Sequence, residues 1–467
     1  MSLPVNAQPD RARNRSDWKM MSCVCVPLWA WAALLMLGWA ADVACGQEDF
    51  EQAPIEYSAA PPSNRITELQ SRLDAGELEL KYEPELGYLR SVLQALEIPV
   101  ESQVLVFSKT SLQLRRISPR TPRAIYFGDD LYLGYCQAGD VLEVSAVDPQ
   151  LGTVFYTLSQ KPAEPPRFER RTDNCVVCHA SSRTEGVPGH VVRSLYVDPQ
   201  GHPQLSAGSR NVTHTTPIKD RWGGWYVTGQ HGEQTHLGNL VLQDDESPSL
   251  VDNSAGQNLS SLEGRFPTGR YLTPYSDITA LMVLEHQVLV HNRITKANYT
   301  YRQAVAYQEV MNKALQQPME TELESTSRRI QSAGDRLIEA LLFVNEAPLS
   351  GPIRGTAGFE AVFTAAGPRD SQGRSLRDLE MERRMFRYPC SYLIYSEAFQ
   401  QLPERMRDYV WQRLRAILHG EVADEKFAHL SVADRRAILE ILAETHPQVP
   451  ANWLAASTPS NSAAEND

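Results

Sequence analysis

Between Met36 and Met282 the chain contains no methionine, and only 10 occur in 467 residues. A function that needs a thioether in the first half of the folded chain must do without one. Positive charge is not in excess either. Lys and Arg number 45 against 57 Asp and Glu, a formal net charge of -12. That balance implies no basic face, which argues against nucleic acid as a partner. A chain this acidic repels anionic surfaces and suits a cationic redox partner. No P-loop, G-x-S-x-G or Rossmann glycine pattern is present, so the familiar signatures of nucleotide binding and serine hydrolysis are missing. No internal repeat marks a solenoid.

What is present is an ordinary globular composition, 42% hydrophobic and 22% charged, over a length that suits one large domain or two smaller ones. The N-terminus is different. Arg11, Arg13, Arg15 and Lys19 precede an uncharged run over residues 20–41, and Ala44 and Gly46 are small residues placed for cleavage. Residues 1–46 therefore read as an export signal or an uncleaved membrane anchor; Asp42 makes Cys45 a poor lipidation site. In either case the remainder lies outside the cytoplasm, in the periplasm or the cell envelope, or tethered to the inner membrane.

The polar, Pro-rich segment 47–64 reads as a flexible linker. Ile66, Leu69 and Leu73, then Leu89, Val92, Leu93 and Leu96, recur at helical spacing. Between residues 102 and 160 the pattern becomes short, β-branched and aromatic, with turns at 128–130 and 148–152, which predicts an antiparallel sheet. Residues 190–209 read as another hairpin. Helices are expected at 276–299, around Leu337–Leu342, and at 375–386, 403–418 and 431–445. The fold class is α+β, with a β-rich N-terminal half and a mainly helical C-terminal half. The expected organisation is a cofactor-binding domain at 65–348, a connecting loop at 349–374, a helical region at 375–454 and a disordered tail at 455–467.

Seven cysteines occur. Cys23, Cys25 and Cys45 belong to the leader, and Cys136 and Cys390 could form one disulfide or remain two buried thiols. The other two lie in "CVVCH", Cys175, Cys178 and His179. Two thiols at this spacing match the two vinyl groups of a porphyrin, and the adjacent histidine reaches the iron. Structural zinc needs four ligands, and no second C-x-x-C follows the leader. A redox dithiol is expected at a helix start in a βαβ unit, which this strand-and-proline neighbourhood does not suggest. A plain disulfide is the remaining rival. The spacing, together with the export signal, points to one covalent haem c.

The gap in methionine turns the search for a second iron ligand to histidine. The segment 214–239, "HTTPIKDRWGGWYVTGQHGEQTHLGN", holds His214, His231 and His236 among glycines and aromatics. His236 is the first choice, followed by His231 and His214. Trp222 and Trp225 could wall a porphyrin, and Arg193 and Arg221 could pair with its propionates. The rival description of the segment is a Gly-rich turn with core tryptophans. Met282 and His286, four apart on one helix beside Glu285, form a second candidate set.

Taken together, "CVVCH", "VPGHVVRS", "RWGGWYVTG" and "RYPCSYLIYSEAF" resemble large exported cytochrome c domain-containing proteins, from about Leu105 to Trp453. The resemblance implies a monohaem c-type cytochrome with haem on Cys175 and Cys178 and His179 as axial ligand. It implies no substrate. The expected function is one-electron transfer with a redox partner protein. A haem-dependent, peroxidase-like oxidoreductase or a haem-based sensor with an open sixth iron position is the alternative, favoured by the roughly four hundred residues around one haem.

Overall fold

The computed structural model describes residues 49–162, 165–243 and 251–455. The leader, its three cysteines and the tail beyond residue 455 lie outside the described residues. The described residues from Asp49 onward belong to one compact unit. Its class is α+β, with strands concentrated between residues 104 and 226 and long helices from 278 onward.

Helices α1 (Arg65–Asp74) and α2 (Leu89–Ala95) open the chain. Asn64 caps α1, its side chain accepting from the amides of Ile66 and Thr67, which supplies partners the first turn lacks. Six strands with one helix after them follow: β1 (Val104–Val106), β2 (Arg123–Phe127), β3 (Leu131–Tyr135), β4 (Val141–Asp148), β5 (Gly152–Ser159), β6 (Phe168–Arg171) and α3 (Asn174–His179). Then come β7 (Val192–Leu195), β8 (Ser209–Val212) and β9 (Trp225–Tyr226). The main sheet has the order β6-β5-β4-β3-β2-β1-β9 and is antiparallel throughout; β7 and β8 form a separate hairpin.

Alternation along the strands gives the sheet two different faces. Tyr126, Leu133, Val144 and Tyr156 pair across one face, which α1, α2 and residues 50–57 cover. Tyr132, Ser145, Phe155 and Arg171 pair across the other. Part of that second face meets the helical half through Val104, Val106, Phe127 and Tyr132. The rest, toward β4, β5 and β6, carries polar groups and holds the motif helix.

The helical half consists of α4 (Ile278–Ala314), α5 (Glu324–Leu341), α6 (Phe359–Ala365), α7 (Glu397–Gln400), α8 (Glu404–Leu418) and α9 (Val432–Thr445). Asp277 caps α4 through Thr279 and Ala280. At 37 residues α4 is about 56 Å long. It runs fifteen residues past the expected end at 299, because no Gly or Pro interrupts the sequence before Pro318. Among the described residues no helix is long and apolar enough to cross a membrane.

Several expectations are corrected. Residues 49–64 are not a loose linker: Phe50, Ile55 and Tyr57 are buried, and the Tyr57 hydroxyl donates to the carbonyl of Thr153 at 2.9 Å. The connection at 349–374 contains α6. The segment 375–386 is not helical. Glu380 takes the amides of Arg383 and Arg384, and Asp378 takes that of Ser375, so side chains rather than helical carbonyls satisfy this backbone. The Pro-rich stretch before the motif contains an edge strand, β6. Cys136 and Cys390 are both free and buried, and burial pushes each thiol up to about 12.

Candidate functional site

The C-x-x-C-H run occupies α3, a helix of six residues that follows β6 directly. Val176 is buried and anchors it to the core, whereas Val177 is 79% exposed. Cys175 is half-buried, Cys178 is exposed, and both thiols are free. Burial raises the Cys175 thiol above its usual range, and the nearby Glu143 carboxylate raises it further. A nucleophilic C-x-x-C cysteine needs the opposite shift. The neighbouring sheet is also antiparallel, with no βαβ unit around the motif.

His179 ends α3 and is held from one side. Its Nδ1 lies 2.9 Å from the carbonyl oxygen of Gly189, and the amide of Gly189 donates to the carbonyl of His179 at 2.8 Å. Burial lowers the His179 pKa, so the neutral ring is favoured. A carbonyl only accepts, so the proton of the neutral ring belongs on Nδ1 and Nε2 carries a lone pair. Ligating histidines use this arrangement, with the second nitrogen held by a carbonyl. Glycine at 189 is required by packing: a Cβ there would sit 2.0 Å from Oδ1 of Asn292. The same Asn292 donates to the carbonyl of His190 at 2.8 Å, and Arg293 pairs with Glu185 at 3.0 Å. The middle of α4 thus frames the loop that orients His179.

The polar face of the sheet lies beneath. The ring of His179 is 4.9 Å from Phe155 and 5.3 Å from His190. His190 reaches the Ser145 hydroxyl at 2.8 Å and packs on Tyr132, whose hydroxyl lies 2.9 Å from Nδ1 of His291. Arg123 pairs with Glu143 at 2.6 Å, and Gln113 donates to Glu143 at 3.0 Å. The charges of this ion pair reach both Cys175 and His179. Gln113 stands between Leu112 and Leu114, both exposed. The surroundings of the motif therefore combine two free thiols, an imidazole nitrogen without a hydrogen-bond partner, polar side chains of the sheet and exposed apolar side chains. These residues fit covalent haem.

The candidates in 214–239 lie in another network. Arg221 pairs with Glu285 at 2.9 Å and donates to the carbonyls of Thr216 and His214. Trp222 Nε1 donates to the other oxygen of Glu285. His214 and His286 share a hydrogen bond between their Nδ1 atoms at 3.1 Å, and His286 Nε2 meets the Ser391 hydroxyl at 2.8 Å. Met282 is buried in the helical core. His236 Nδ1 accepts from the Gly238 amide at 3.0 Å and His231 Nε2 accepts from the Asn258 amide at 3.0 Å. When these rings are neutral, as burial favours, each carries its proton on the other nitrogen. None of His214, His231 and His236 is in ring contact with His179. The imidazole that is in contact is His190. Gly223 serves β7, since a Cβ there would lie 2.7 Å from the carbonyl oxygen of Leu195.

Of the four wall residues, Trp225 and Arg193 are on the motif side. Trp225 Nε1 donates to the Arg193 carbonyl at 2.8 Å. Arg193 reaches Ser209 at 2.6 Å, has no carboxylate partner among the described residues and feels Cys178. Arg221 is committed to Glu285. Sequence reasoning missed Arg123, Glu143 and Gln113, which precede the motif by thirty to sixty residues and match no motif. No family model matches the chain, and neither curated proteins nor solved structures give a match. Among the described residues no group of three or more His, Cys, Asp or Glu side chains is arranged to hold a metal ion alone.

Proposed function

We propose that the chain is an exported monohaem c-type cytochrome, periplasmic or held in the cell envelope, that carries out one-electron transfer with a redox partner protein. Haem c would be attached through Cys175 and Cys178, with His179 on the iron. One observation carries this reading: two free thiols and an imidazole with a free Nε2 lie on one short helix. When bound, the group supplies an iron that alternates between ferrous and ferric states. The chain's own residues do the rest. Gly189 holds the His179 ring through Nδ1, Phe155 packs against it, and the Arg123–Glu143 pair sets the local field.

The hydrogen bonds of His214, His231 and His236 favour a second reading. With these imidazoles engaged elsewhere, the sixth iron position would be open or weakly filled. That would suit a haem-dependent, peroxidase-like oxidoreductase or a haem-based sensor. One absorption experiment separates the readings. The protein is exported in a host that matures haem c and recorded oxidised, reduced, with carbon monoxide, and denatured. Haem retained on denaturation and lost in a Cys175→Ala variant supports attachment. A low-spin spectrum unmoved by carbon monoxide supports the electron carrier, and a shifted one supports the open site. No retained haem in the wild-type protein overturns both.

A further inference from the structure

We propose that the surface around Cys178, flanked by Arg183 and Arg193, is where electrons leave the protein, and that it receives an acidic partner. This rests on the reading of α3 as the attachment helix. The chain is acidic overall, with a formal net charge of -12, so an acidic partner is the reverse of what composition suggests. The local arrangement is different. Cys178 is the exposed thiol, and Val177 beside it is 79% exposed. A cofactor joined there has an edge close to solvent.

Two arginines frame this edge. Asn211, paired with Arg193 across β7 and β8, donates to the carbonyl of Arg183 at 3.3 Å. That bond ties the two arginines to one spot. Arg193 is bound only to the Ser209 hydroxyl, and its Nε is buried without a partner. Arg183 is exposed, and neither arginine has a carboxylate partner among the described residues. The repulsion of Arg183 helps lower the Arg193 pKa, after burial. Glu185 pairs with Arg293 at 3.0 Å and Asp220 with Arg210 at 3.1 Å, while Asp173 and Glu169 share one guanidinium, that of Arg171, each at 3.8 Å. Two uncompensated guanidiniums beside an exposed apolar side chain suit a partner that brings carboxylates around an apolar centre.

The probe is electron exchange with small complexes of opposite charge. Reduced holoprotein gives one electron to ferricyanide, an anion, or to hexaammineruthenium(III), a cation, and its iron becomes ferric. Attraction at Arg183 and Arg193 makes the ferricyanide rate fall as salt is added, by about tenfold or more, in spite of the negative net charge. Arg183→Glu, at an exposed position, removes or reverses that dependence, and Arg193→Glu does the same if it folds. A ferricyanide rate that rises with salt and ignores Arg183→Glu overturns the proposal. So does a variant that shifts the midpoint potential while leaving the salt dependence intact, because the pair then serves the cofactor's own carboxylates. Absence of attached haem in the absorption spectrum fails the attachment reading itself and is seen before any rate is measured.

Discussion

Gly189 and His179 hold each other by two hydrogen bonds, the Gly189 carbonyl to Nδ1 of His179 and the Gly189 amide to the His179 carbonyl. The residue without a side chain therefore decides which nitrogen of the imidazole is free. Asn292, pressed against the missing Cβ, decides why it must be glycine.

Gly189→Ala is expected to cost about 1–3 kcal/mol through overpacking against Asn292. Urea denaturation of the protein measures the loss. The Gly189→Ala, Asn292→Ala pair should recover part of it, because the clash partner is gone. A double variant less stable than the sum of the two singles would refute the clash.

Glu285→Gln is expected to destabilise by about 3–5 kcal/mol, because it leaves the buried Arg221 guanidinium without its counter-charge. Because burial raises the Glu285 carboxyl to about 7, the wild-type protein gives up part of this advantage as pH rises through 7, so the loss should be largest below 4.5 and smaller near about pH 8. Arg221→Met added to Glu285→Gln should restore stability. If Glu285→Gln alone unfolds at the wild-type urea midpoint, the ion pair contributes nothing.

Stability should peak near pH 6.5, the unfolded histidine value. Burial lowers His214, His236 and His291 to about 3, and lowers His286 well below its usual value. Unfolded histidines take up protons that these folded rings refuse, so their contribution is full above 6.5 and is lost as pH falls. Burial raises Glu285 and Glu346 to about 7, so they favour the fold below 4.5 and lose that contribution as pH rises through 7. Four histidines outweigh two carboxylates below 6.5; above it only the carboxylates act. Urea midpoints from about pH 5 to 8 test the peak. A midpoint that falls steadily across that range would refute the balance.

The sheet was legible because short runs rich in β-branched and aromatic residues, around Tyr132, Leu142 and Val154, lie between recognisable turns. α8 and α9 were legible because Met406, Val410, Leu414 and Ile438, Leu442 repeat at helical spacing. The segment 375–386 misled because Leu376, Leu379 and Phe386 imitate that period while Asp378 and Glu380 capture the backbone instead. Of the candidate site, "CVVCH" was readable as three neighbouring residues. Arg123, Glu143 and Asn292 were not, since strand pairing and the docking of α4 bring them to the motif from distant parts of the chain. The cluster of histidines and tryptophans at 214–239 suggested a cofactor wall. Much of its chemistry is spent on Glu285 and on backbone amides.

The framing of the motif by α4 also has a direction in time. His190 and Asn292 are 102 residues apart, and Glu185 and Arg293 are 108 apart. Under the proposed export, a chain that emerges N-terminus first presents both thiols before the residues that fix the loop carrying Gly189 follow. Until α4 arrives, the His179 ring is free to turn, and the thiols are at their most accessible to a reagent that must bond with both.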